Sequence, residues 1–100
     1  MFDYIDVDRR LLPGDPPGGQ WQVEMQTKAL RRRLDRYELY KEGLVMEWDE
    51  ERGLQISVPV KFTGDMRLIA EGYRVTVDLV DGVPGEFRLH DEAAKMASRG

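Results

Sequence analysis

The chain contains no cysteine and a single histidine. Without thiols there is no disulfide, no thiolate nucleophile and no cysteine-bound metal, and His90 stands without the companions that a metal site or a catalytic triad requires. Long apolar runs are missing as well. No stretch approaches the roughly 20 residues of a membrane-spanning helix, and the opening Met1-Phe2-Asp3-Tyr4-Ile5-Asp6 is acidic where a signal peptide is basic. The expected setting is soluble and cytoplasmic, where thiols stay reduced. Nor is there a basic surplus: 19 acids against 15 bases leave a net charge of −4. That balance disfavours a general nucleic-acid binder while allowing a local basic patch, and it is too small for an acidic mimic of DNA.

What is present is a strong period of two. At 100 residues the chain has room for one domain and one core. Over 54–62, Leu54, Ile56, Val58, Val60 and Phe62 fall on one side of an extended strand and Gln55, Ser57, Pro59 and Lys61 on the other. Pro59 has no N–H to donate, which puts this strand at a sheet edge or a bulge. Trp21, Val23 and Met25 alternate in the same way, and so do Tyr37 and Leu39, then Leu44, Met46 and Trp48, then Met66 and Leu68. Tyr73, Val75, Val77 and Leu79 follow, and last Phe87 and Leu89. Phe2 to Arg9 alternates imperfectly, as a terminal or edge strand whose faces are not sorted. Residues 29–34 fit a turn, a strand or a short helix, since Leu30, Leu34 and Tyr37 also have helical spacing.

Breaks recur every eight to twelve residues or so, the rhythm of an antiparallel meander. Residues 11–19 hold three of the five prolines and three of the ten glycines and form a loop. Asp81-Gly82 is a two-residue hairpin turn. Asp91 can cap a short helix over 91–98. The expected fold is mostly β: one domain over 1–100, a meander curling into a sandwich or half-barrel with a short C-terminal helix. Its expected core is Trp21, Val23, Met25, Tyr37, Leu39, Met46, Trp48, Ile56, Val58, Val60, Phe62, Leu68, Val75, Val77, Leu79, Phe87 and Leu89.

Chemistry is sparse. Asp3, Asp6 and Asp8 could share a cation, but they lack a calcium-loop glycine or a nearby histidine, and a solvated strand face explains them better. Glu47, Asp49, Glu50 and Glu51 could pair two acids across a cleft, although an exposed turn accounts for them more simply. Ser57 and Ser98 sit in no nucleophile elbow, and the glycines of 11–19 lack the strand-to-helix frame of a phosphate cradle. No catalytic residue, metal or cofactor is expected. The most informative charge feature is the basic run Lys28, Arg31, Arg32, Arg33 and Arg36. Three readings fit it: surface charge paired with the acidic turn 47–51, a contact for an acidic protein partner, or a nucleic-acid contact opposed by the overall charge.

Met1-Phe2-Asp3-Tyr4-Ile5, then Leu12-Pro13-Gly14 and the proline-rich stretch, then Met25-Gln26-Thr27-Lys28 and Leu34 through Tyr37 to Gly43-Leu44, resemble a family of small uncharacterised bacteriophage and prophage proteins. Members open with Met-Phe-Asp-Tyr and carry Phe-Gln-Thr-Lys after the proline loop. The likeness covers the first half, and 62–64 and 73–78 match more loosely. Met25 replaces the usual phenylalanine, and Arg31-Arg32-Arg33 departs from the family pattern. The resemblance implies a phage origin and brings no site residues with it. Phage genes of this size suggest a non-catalytic accessory that binds a host or phage protein, such as an inhibitor of a host defence complex. The alternatives are a phage structural or assembly component and a nucleic-acid-binding module using 28–36.

Overall fold

The strand with the poorest alternation lies at the centre of the sheet. In the computed structural model, which describes residues 1–90, β1 (Asp3–Asp8) is flanked by β2 (Gln22–Thr27) on one side and β3 (Arg36–Tyr40) on the other. Asp3, Ile5 and Val7 all point inward, so an acid occupies an apolar register position and hides the period. The expectation of an edge strand is thereby overturned. The chain continues through β4 (Gly43–Asp49), β5 (Leu54–Pro59), β6 (Gly64–Ala70), β7 (Tyr73–Val80) and β8 (Val83–Leu89).

These strands form one open sheet in the order β5-β4-β3-β1-β2-β6-β7-β8. The mostly-β expectation holds, but neither a simple meander nor a sandwich does. β3 runs parallel to β1, because residues 28–35 cross the start of β1 before the chain returns. β2 and β6 meet through one residue pair, Gln26 with Ile69. The expected helix over 91–98 lies outside the described residues.

Chain reach dictates that the sheet is curled. β5 and β6 stand five strand spacings apart in the sheet order, about 24 Å if the sheet were flat. The link 60–63 lets Gly64 lie at most about 18 Å from Pro59 even when fully extended. The sheet therefore bends over its own inner face, which buries Ile5, Val7, Val23, Met25, Tyr37, Leu39, Leu44, Met46, Met66, Leu68, Val75, Val77 and Leu79 without a second layer among the described residues.

The two halves of the curl are pinned at one corner. Asp81 and Gly82, with φ of 50° and 81°, make the expected two-residue turn. Gly82 N–H donates to the Phe62 carbonyl at 2.8 Å, and its own carbonyl accepts from Leu44 N–H at 2.9 Å. A Cβ on Gly82 would collide with the Val60 carbonyl oxygen. Gly82→Ala is expected to cost about 2–3 kcal/mol, from left-handed strain plus overpacking. Gly72→Ala, at φ 69° with open space around it, should cost only the backbone part, about 1 kcal/mol. Equal urea midpoints for the two variants would contradict this pinning.

The loop 11–19 is tied down. Leu12 enters the core, the Arg9 guanidinium donates to the carbonyls of Pro16 at 2.9 Å and of Pro17, and the Tyr73 hydroxyl donates to Pro13. Several expected core residues lie elsewhere. Trp21 is 66% exposed, and at the sheet edges Val58 on β5 and Leu89 on β8 are 50% and 45% exposed. Trp48 leaves the inner face because a register shift between Met46 and Trp48 reverses the alternation and turns Asp49 inward. In their place the core gains Ile5, Val7, Leu12, Leu44, Met66 and Tyr73.

Candidate functional site

The basic run is organised from below by one buried acid. Arg32 and Leu34 adopt left-handed φ values of 57° and 60°, a conformation that costs about 1–2 kcal/mol per residue for side chains with a Cβ. The result is a concavity of backbone N–H groups of the kind that binds anions. Its anion is the chain's own: the fully buried Asp3 carboxylate accepts from the N–H groups of Arg32 at 2.7 Å, Arg33 at 2.9 Å and Asp35 at 3.0 Å. Leu34 N–H donates to the Phe2 carbonyl and Tyr4 N–H to the Asp35 carbonyl, so the loop is sewn to the start of β1.

Two further buried acids continue this network. Asp35 Oδ1 accepts from Glu50 N–H at 2.9 Å, and its Oδ2, which has no hydrogen bond, lies 3.6 Å from Arg31 Nε. Asp49 Oδ1 accepts from Arg52 N–H at 3.2 Å. Burial first, then the charges of Asp3 and Asp35, push the Tyr37 hydroxyl far above its ordinary range. Each carboxylate is occupied in fastening a loop, so the network reads as structural.

Above it the run divides. Arg31 and Arg33 both pair with Glu51 on the turn after β4. Arg36 projects from β3 onto the outer face, where it pairs with Asp6 at 3.2 Å and Glu24 at 3.1 Å and lies 4.9 Å over the Tyr4 ring. Lys28 and the Arg32 guanidinium are exposed and without an acidic partner among the described residues. Pairing with the acidic turn therefore accounts for Arg31 and Arg33, and the run does not form one continuous cationic strip.

The other candidates are dispersed. Asp3 lies inside, Asp6 faces Arg36 outside, and Asp8 caps the 3-10 turn Arg9–Leu11 by accepting from Arg10 N–H at 3.0 Å. The hydrogen bonds from Arg10 lower the Asp8 carboxyl below its usual value. His90 Nε2 is 2.6 Å from Thr76 Oγ1, and Ser57 is exposed on β5. Among the described residues no group of three His, Cys, Asp or Glu side chains could hold a metal ion.

The sequence assigned Glu47 and Glu50 to an exposed acidic turn, whereas both line a cleft on the outer face over β1, β3 and β4, bounded by β5. The cleft measures about 580 Å³ and is lined by Tyr4, Leu34, Arg36, Glu38, Glu47, Trp48, Glu50 and Gln55. Trp48 is there because of the register shift, and its indole N–H donates to Glu50 at 2.7 Å. Glu38 accepts from the Gln22 amide at 2.9 Å. Burial, with the neighbouring Glu38 charge second, raises the Glu47 carboxyl above its ordinary value. Burial also raises Asp6, and the Arg36 guanidinium opposes it. A signal existed in the outward residues of β1 and β3, Tyr4, Arg36 and Glu38, but without strand order nothing showed that they adjoin Trp48. No protein-family model, curated protein or solved structure matches the chain, so the geometry alone guides the reading of this surface.

Proposed function

We propose that the protein is a non-catalytic, protein-binding accessory of phage or prophage origin, working in the bacterial host cytoplasm, and that it receives an extended segment of its partner along β5. One observation carries this reading: an edge strand whose core-side residues are left uncovered. Leu54 pairs with Asp49 and Val58 with Met46, so both belong to the inner face, yet they are 52% and 50% exposed. A strand added to β5 would satisfy its free backbone groups and cover these side chains. Pro59 limits the pairing stretch to 54–58. Val60 N–H points to the Leu44 carbonyl, so the neighbouring Pro59 presents its missing donor to solvent, which also opposes full-length pairing of β5 with its own copy.

The origin rests on the resemblance of the first half. An inhibitor of a host defence complex and a phage assembly component differ in the partner they require. Lys28 and Arg32 are the cations of the basic run still available to a partner, and a nucleic-acid role has less support because carboxylates engage Arg31, Arg33 and Arg36. Affinity capture from infected host cells should recover a defined host protein for the inhibitor role or a phage protein for the assembly role. Val58→Asp should abolish that capture while the variant keeps a cooperative melt within about 8 °C of the wild type. Undiminished capture by Val58→Asp would remove β5 as the docking edge.

A further inference from the structure

The outer-face cleft carries negative charge that its own residues do not balance. Among the described residues its one cation is Arg36, which is already held by Asp6 and Glu24 and lies over the Tyr4 ring. Glu38 and Glu50 accept from neutral donors, the Gln22 amide and the Trp48 indole. Glu47 has neither a hydrogen bond nor an ion pair among the described residues, although it is only partly exposed. Three carboxylates thus line a recess of about 580 Å³ whose remaining walls include the Trp48 ring. A partly desolvated carboxylate without a partner is costly, and a cation brought beside it removes that cost.

We propose that this cleft receives the guanidinium of an arginine carried by the partner's segment, with Glu47 as its bidentate acceptor and Trp48 as its stacking surface. The proposal rests on the reading of β5 as the docking edge, because Gln55 of β5 lines the same cleft. An outward-facing side chain on a strand laid along β5 stands one strand spacing, about 4.8 Å, from Gln55, within reach of a long side chain crossing toward β4. A planar guanidinium suits the site better than an ammonium does. A guanidinium can pair with a carboxylate through two N–H groups while its plane packs on an aromatic ring, and on this same face Arg36 already lies 4.9 Å over the Tyr4 ring. An acidic side chain would be repelled.

The test uses the full chain carrying Trp21→Phe, which leaves Trp48 as the sole tryptophan. The probes are capped pentapeptides of alternating valine with arginine, lysine or glutamate. The arginine peptide should change Trp48 fluorescence and bind at least tenfold more tightly than the glutamate peptide. Glu47→Gln should weaken the arginine peptide about fivefold or more, and Val58→Asp should weaken it too. Binding that needs Glu47 but not Val58 upholds the cleft and removes the edge-strand reading. Binding that needs Val58 but not Glu47 overturns the cleft and keeps the edge. Unchanged Trp48 fluorescence, or a lysine peptide that binds equally well, overturns the arginine assignment.

Discussion

Asp3→Ala is expected to lower the stability of the protein by about 3–4 kcal/mol. The Asp3 carboxylate is fully buried and accepts three backbone N–H groups, those of Arg32, Arg33 and Asp35. Hydrogen bonds to a charged acceptor contribute about 1.5–3 kcal/mol each, and buried donors stripped of a partner cost about 1–3 kcal/mol each. Solvent can reach the N–H groups of the exposed Arg32 and Arg33 once the loop loosens, so the full sum is not lost. For a domain of this size the change corresponds to a fall in Tm of roughly 15–25 °C. Asp3→Asn retains one accepting oxygen and should recover about half of the loss. Urea titrations of both variants provide the measurement, and a cost below about 1 kcal/mol for Asp3→Ala would mean that the loop 28–35 holds its shape without this anion.

Ile5→Asp should abolish the fold, whereas Val58→Asp should change stability by no more than about 1 kcal/mol. Ile5 is fully buried on the central strand β1, between Met25 of β2 and Tyr37 of β3. Its replacement removes about 1.5–3 kcal/mol of apolar burial and adds several kcal/mol for an unpaired buried carboxylate. A total stability of about 5–15 kcal/mol leaves little after that. Val58 is half exposed on the edge strand, where a carboxylate keeps its water. Near-ultraviolet circular dichroism and urea unfolding separate the two. A cooperative transition for Ile5→Asp, or an unfolded Val58→Asp, would reverse the assignment of centre and edge.

That pair of residues also shows where sequence reading fails. The stretch 54–62 has the clearest alternation in the chain and became the most exposed strand, while 3–8 has the poorest and became the central one. Alternation tells which side chains share a face, and it held within β5: Leu54 and Val58 do lie on the core side. How far that face is covered depends on the neighbouring strands, and among the described residues β5 has a strand neighbour on one side only. In β1 the acid that broke the apolar pattern is the one that anchors the chain. A buried carboxylate satisfied by backbone N–H groups from 29 to 32 residues away leaves no local trace.

The candidate site was legible in fragments. The composition of the basic run suggested pairing with the acidic turn, and Arg31 and Arg33 do pair with Glu51. Arg36 went elsewhere, because β3 begins there and alternation turns it outward toward Asp6 and Glu24. The cleft itself depended on the register shift that moved Trp48 to the outer face and on the placement of Tyr4 beside β3.

The strand-rich class, the Asp81-Gly82 turn, the loop 11–19 and the restriction of the Pro59 strand to an edge or a bulge were all legible in the sequence. These follow from side-chain periodicity, positive-φ turn chemistry and a missing donor, all local properties. Only the tertiary structure decided the strand order, the parallel pairing of β1 with β3, the curl forced by the short link 60–63, and the meeting of Tyr4, Glu47 and Trp48 around one recess. Each of these depends on contacts between segments distant in the chain, whose energies no local pattern records.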